Sequence, residues 1–320
     1  LSSSSAASDV YKRQPILAPF FSLFFAFCMG DAGYGLVLIA LGFILKRKMS
    51  KSMKGMMNLV ITLGIFTSVI GAILGTFFGV SLFDLEIPAK LKEFMIVGKI
   101  GETTYDKQML LALIIGAVHI CIAMTVKAVG QTVRFGFKES LSAWGWLLLV
   151  VGFICTGGLS FFKIISEDVS TWAFIVIGGV SAIGIYLLNN IHRNVFVNIG
   201  AGVWDTYNMA TGLMGDILSY IRLYALGLAG GMLGGVFNQL AFMVNDAAGP
   251  ALGWLFCGLI LIFGHTLNIA MSCLSAFVHP LRLTFVEYFK NSGYEGKGEA
   301  YKPFTVVKLS LIHISEPTRL

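Results

Sequence analysis

Met214-Gly-Asp-Ile-Leu-Ser-Tyr-Ile-Arg-Leu-Tyr-Ala-Leu-Gly-Leu-Ala229 places Arg222 in the middle of a long apolar run, with no adjacent acid to neutralise it. A guanidinium keeps its proton at any physiological pH, and holding it at bilayer depth costs between a few and more than about 10 kcal/mol, depending on the reference state. The bland alternative is a snorkelling cation, but Arg222 is too central in its run to reach either surface easily. The residue therefore points to a function inside the membrane.

Composition agrees. Hydrophobic residues make up 56% of the chain, charged residues 12%, and mean hydropathy is +0.81. A soluble domain of 320 residues has no surface for such a sequence, so a polytopic, all-α membrane protein in contact with the lipid bilayer is expected. The net charge of +6 comes mainly from short connecting loops, which suits membrane orientation and not nucleic acid. Cys28, Cys121, Cys155, Cys257 and Cys273 lie in apolar runs without metal-ligand spacing and read as small buried hydrophobes.

Two short helices, from Pro15 to Met29 and from Leu36 to Leu45, are expected to meet at Gly30-Asp-Ala-Gly-Tyr-Gly35. Lys46, Arg47, Lys48, Lys51 and Lys54 follow and are expected to face the cytoplasm. Further spans are expected over Met56 to Leu82, Met109 to Val129, Leu141 to Phe162 and Trp172 to Leu188. The last two run from Asp205 to Val244 and from Ala251 to Phe289. That makes about eight transmembrane helices, with both ends cytoplasmic. Lys127, Arg134, Lys138, His192 and Arg193 fall inside, while Asp84, Glu86, Glu93, Glu102, Asp106, Lys163, Glu167 and Asp168 fall outside.

About forty residues at about 1.5 Å each span about 60 Å, twice a hydrocarbon layer of about 30 Å. The last two helices must therefore tilt, bend or protrude. Neither contains proline before Pro280, which favours a long slanted pair. No internal repeat of the kind found in secondary transporters is present, and the glycine turn lacks the Lys-Ser/Thr ending of a nucleotide loop. The chain itself is not expected to bind ATP.

The final helix carries a second cation in Phe277-Val-His-Pro-Leu-Arg-Leu-Thr-Phe-Val-Glu-Tyr-Phe289, with His279 a turn before Arg282 and Glu287 beyond it. Upstream lie His265, Thr266, Asn268, Ser272 and Ser275, a polar stripe that either bonds neighbouring helices or lines a wet path. Asp31 reads equally as a helix cap, the histidines as packed core residues, and Glu287 as a partner of Arg282 or Lys290. Gly227, Gly231 and Gly235, repeated at Gly230 and Gly234, read as close helix packing or as a smooth face toward a moving partner.

Gly30-Asp31-Ala-Gly-Tyr-Gly35, Ser219-Tyr-Ile-Arg222-Leu-Tyr-Ala-Leu, Gly264-His-x-x-Asn268 and His279-x-x-Arg282-Leu-x-x-Val-Glu287 resemble the membrane domain of the V-type/A-type rotary ATPase subunit I, the homologue of eukaryotic subunit a. Gly293 to Phe304 resembles the family's glycine-rich stretch ending in Pro-Phe. The resemblance implies a stator beside a rotating proteolipid ring (subunit K/c), with Arg222 facing the ring carboxylates and Arg282 as its partner. It further implies a central-stalk membrane subunit (C/d), peripheral stalk subunits reached through an N-terminal domain that precedes this stretch, a prokaryotic plasma membrane, and H⁺ or Na⁺ as the ion.

On that basis Asn208, Asp216 and Glu287 are candidates for a cytoplasmic half-channel, and Asp31, His265, Asn268, Ser272 and His279 for an outer one. Gly230 stands where eukaryotic members carry His, and Ser272 where they carry Glu, so the outer path must use other groups. A stand-alone secondary transporter or channel is the alternative. Residues 1–14 and 309–320 resemble translated adapter sequence and are expected to be non-native tails around a membrane domain at 15–308.

Overall fold

In hydrocarbon a backbone N–H or C=O has no water to turn to, so an apolar chain must close its hydrogen bonds within each segment, and helices result. The computed structural model of the chain describes residues 17–50, 53–82, 95–96, 106–138, 140–161, 163–187, 195–248 and 252–293. Its helices are α1 (Leu17–Met29), α2 (Ala32–Lys48), α3 (Lys54–Leu74), α4 (Lys107–Phe135), α5 (Leu141–Phe161), α6 (Glu167–Ala182), α7 (Val195–Ala248) and α8 (Leu252–Arg282). A π-helical turn, Ile183–Leu187, extends α6, and another, Leu283–Tyr288, extends α8 toward Asn291. The expected all-α membrane protein is what this structure shows.

Of these helices, α3 to α8 are each long and apolar enough to cross a bilayer, which makes six among the described residues. The shorter α1 and the 17-residue α2 meet at Gly30 and Asp31, as the glycine-rich turn implies. Gly30 takes φ +58°, a conformation that a side chain would disfavour. The Asp31 carboxylate then caps α2, accepting from the N–H groups of Gly33 at 2.8 Å and Tyr34 at 3.2 Å.

The third span is shorter than expected. It stops at Leu74 because Gly75 adopts φ +73° and closes the helix in a left-handed cap. Residues expected to continue the helix form a hairpin instead, β1 (Thr76–Phe77) paired antiparallel with β2 (Val80–Ser81). Phe78 and Gly79 make the turn, at φ +48° and +72°.

The expected pair of overlong helices is present. α7 has 54 residues, about 80 Å of helix, and starts upstream of the expected Asp205; Gly202 in this added part packs closely on the Tyr186 ring. α8 runs antiparallel to it, and Pro280 does not break it. The core gathers around α1: Phe24, Phe25 and Met29 pack with Tyr34, Ile120, Met124, Tyr220 and Leu223. All five cysteines are free; Cys28 and Cys257 are buried as expected, whereas Cys121 and Cys273 are half-buried and Cys155 is exposed.

Several expectations lie outside the described residues: the tails at 1–14 and 309–320, Lys51, Asp84, Glu86, Glu93, Glu102, His192, Arg193 and the stretch from residue 294 to Phe304.

Candidate functional site

Arg222 sits at the edge of the packed face of α7, half-buried, and Arg282 on α8 is exposed. No hydrogen bond or ion pair engages either guanidinium among the described residues. His279 lies one turn before Arg282 on α8. Its Nδ1 is buried without a hydrogen-bond partner among the described residues. Within about one turn of the arginines, Leu218 of α7 and Val278 and Phe285 of α8 are exposed, so the cations stand on an open apolar face. Two unpaired cations on such a face are a costly arrangement that a partner anion would relieve.

Toward the N-terminal end of α7, Asp216 is buried together with Glu287 and Asn291, whereas Asn208 is exposed. Asn291 donates to Asp216 Oδ2 at 2.7 Å, and Lys290 Nζ lies 4.0 Å from Asp216 Oδ1. Glu287, a candidate for the cytoplasmic path, lies in the π-helical turn and is 3% exposed, and its Oε2 has no hydrogen-bond partner among the described residues. Asp216 and Glu287 both act electrostatically on Tyr220. A cavity of about 420 Å³, lined by Lys127, Gln131, Asp205, Asn208, Lys290 and Asn291, opens beside them. Asn291 thus belongs to both the cavity and the Asp216 cluster.

Toward the C-terminal end of α7 a directed chain of hydrogen bonds joins the outer candidates. Asn238 Nδ2 donates to the Phe78 carbonyl at 2.8 Å, which leaves Asn238 Oδ1 to accept from His265 Nε2 at 3.0 Å. His265 Nδ1 is then the acceptor for the Tyr34 hydroxyl at 2.9 Å. The Tyr34 oxygen accepts in turn from Asn268 Nδ2 at 2.8 Å, which also reaches the Gly230 carbonyl at 2.9 Å. Ser272 Oγ closes the chain on Asn268 Oδ1 at 3.3 Å. Ser272 lies about two helical turns before His279, so the chain ends above the arginines.

Asp31 is close to this chain but differently employed. Besides capping α2, its carboxylate accepts from the N–H groups of Phe78 at 2.9 Å and Gly79 at 2.7 Å, and Thr76 Oγ1 donates to the Gly30 carbonyl. Four backbone donors fasten the hairpin to the α1–α2 turn through one carboxylate. Gly79 meets Gly234 so closely that a Cβ on Gly79 would stand 2.5 Å from the Gly234 carbonyl carbon. The glycine series is therefore partly packing. Gly231, however, touches nothing and faces a second cavity of about 420 Å³, together with Gly227, Gly235, Gln108, Tyr224 and Gln239. The Tyr224 hydroxyl donates to the Asp106 carboxylate at its edge.

Sequence reasoning assigned no role to His119, Asn238 or Asn291, and quoted Tyr34 and Tyr220 only inside motifs. His119 carried the clearest signal, a lone imidazole inside Leu110 to Met124, yet its partner Tyr220 is distant in the chain and only the fold pairs them.

Residues 205–306 match the V-type ATPase 116kDa subunit family. Over most of its length the chain is also similar to named proteins. It is 29% identical over 307 residues to a V-type ATP synthase subunit I of Borreliella burgdorferi, covering 90% of this chain and 48% of that one. It is 29% identical over 317 residues to an A-type ATP synthase subunit I of Methanocaldococcus jannaschii, with 90% and 44% covered. With an A-type ATP synthase subunit I of Pyrococcus abyssi it shares 32% over 300 residues, with 91% and 42% covered. The chain spans less than half the length of these relatives. With helices α3 to α8 fit to cross a bilayer and the match centred on the arginine-bearing pair, the chain belongs to the V-type ATPase 116kDa subunit family, that of subunit I of the V-type and A-type ATP synthases.

Proposed function

We propose that this chain is the ion-translocating membrane part of a rotary ATPase stator, working beside a ring of proteolipid subunits and the other subunits of that complex. The observation that carries the reading is a pair of arginines, Arg222 half-buried on α7 and Arg282 exposed on α8, that stand without an ion pair among the described residues, with polar groups leading away along the helices in both directions. An arginine cannot give up its proton, so it favours the ionised form of any carboxylate that passes and drives that carboxylate's ion off. It also separates two aqueous paths that would otherwise join into a leak.

The path through Asn208, Asp216 and Glu287, with Asn291 added, serves the cytoplasmic side, where Lys46, Arg47, Lys48 and Lys54 orient the protein. Both ends of the chain then lie in the cytoplasm of a prokaryotic cell. His265, Asn268, Ser272 and His279 serve the outer side, and Asp31 shapes its mouth by holding the hairpin. The cavity beside Gly231, Tyr224 and Gln239 supplies room for water that the packed hydrogen-bond chain lacks. The chain carries no catalysis of its own in this scheme; ATP is turned over by other subunits.

Reconstitution separates this reading from a stand-alone transporter. Purified subunit alone in liposomes is expected to conduct no ions under an imposed gradient, and the complete complex to pump them with ATP. Transport by the subunit alone would refute the stator reading.

A further inference from the structure

His119 on α4 is fully buried and takes no part in either path above. Aromatic rings enclose it: Phe20 with centroid at 4.7 Å, Phe24 at 5.1 Å, and Tyr288 stacked at 5.2 Å. Its Nδ1 stands 2.9 Å from the Tyr220 hydroxyl. One turn earlier, Gly116 leaves the space that the Tyr220 ring fills, since a Cβ there would lie 2.4 Å from the ring. Gly116 and His119 thus make a slot on α4, with Phe24 of α1 across it at 5.7 Å from Tyr220.

Tyr220 is 1% exposed and precedes Arg222 by less than a turn on α7. The opposite face of α7 is open, so contacts on one side alone set its rotation about its own axis. At a guanidinium's distance from the helix axis, a rotation of about 25° moves the charge by about 3 Å, enough to spoil an alignment that about 1 Å of error already harms. Ring packing resists sliding only weakly. A hydrogen bond from the end of the ring fixes its depth and angle.

We propose that the Gly116–His119 slot grips Tyr220 and so sets the rotation of α7 that aims Arg222 at the partner carboxylate, with His119 as a positioning residue. This rests on the stator reading above. The role belongs to the bond and the slot and holds in one protonation state throughout; Asp216 and Glu287, which also act on Tyr220, are not required to change.

The test uses the full-length subunit in its assembled complex in membrane vesicles, reading ions transported per ATP hydrolysed and recovery of the ring with the subunit. Tyr220→Phe keeps the ring and removes the bond. It is expected to assemble at normal yield and to lower the transport ratio by about fivefold or more. His119→Phe is expected to do the same, the double variant to be no worse than either single one, and His119→Gln, whose amide restores a bonding group, to recover at least half of the ratio. A normal ratio in Tyr220→Phe overturns the proposal, as does a multiplicative loss in the double variant or failure of Tyr220→Phe to assemble, which makes Tyr220 merely structural. Arg222→Ala run alongside keeps the two readings apart: if it is inactive while Tyr220→Phe is normal, only the positioning role fails, and if it pumps normally both fail.

Discussion

The Tyr34 hydroxyl and His265 Nδ1 stand 2.9 Å apart across the gap between α2 and α8. Because Asn238 fixes the other ring nitrogen as a donor, Tyr34 must donate here, and its oxygen is free to accept from Asn268. Tyr34→Phe therefore leaves both a histidine acceptor and an amide donor unpaired in an apolar setting. The expected loss is about 1–3 kcal/mol of stability, read as a lower midpoint of thermal unfolding in detergent. An unchanged midpoint would mean that the chain of bonds contributes nothing.

Asp31 is expected to be more sensitive than any other residue on the outer side. Its carboxylate serves four backbone N–H groups in two segments, and charge-assisted bonds of this kind are stronger than neutral ones. Asp31→Ala should free the hairpin, making the peptide bonds from Gly75 to Phe78 accessible to protease and lowering stability by about 3 kcal/mol or more. Asp31→Asn, which keeps one acceptor oxygen, should fall between. Limited proteolysis of the three proteins in native membranes gives the order.

Asp216 has an amide partner at 2.7 Å and an ammonium at 4.0 Å, and geometry ranks them. The Lys290 side chain is 55% exposed, so its attraction is screened and worth about 0–1 kcal/mol. Asn291 is buried and its bond is direct. Asn291→Ala is accordingly expected to reduce ATP-driven ion uptake several-fold, and Lys290→Ala by less than half. The reverse order in vesicle uptake would contradict the assignment of Asn291 to the cytoplasmic path.

Hydropathy carries α3 to α8 plainly, and the absence of proline before Pro280 carries the length of the last two helices. The turn at Gly30 and Asp31 is equally legible, because glycine and a capping aspartate are local signals. The hairpin is not: Thr76 to Ser81 reads as apolar, and only the left-handed turns at Gly75 and Gly79 and the reach of Asp31 make it leave the helix. Of the candidate residues, His265, Asn268 and Ser272 share a helix face and could be grouped from spacing alone. Tyr34, Asn238, His119 and Asn291 could not, since each meets a partner on a distant segment. The burial of Glu287 was not legible for a different reason. Its inward direction follows from the π-helical turn, which regular helical spacing does not anticipate.

In the proposed stator, Arg222 drives ions off a carboxylate carried past it by another subunit. Ion uptake per ATP hydrolysed, measured in vesicles holding the assembled complex with Arg222→Ala, tests it most directly. Normal assembly and ring recovery are expected with uptake abolished, and Arg222→Lys is expected to be largely inactive as well, since an ammonium lacks the planar fork and gives up its proton more readily. Normal uptake by the Arg222→Ala complex would contradict it.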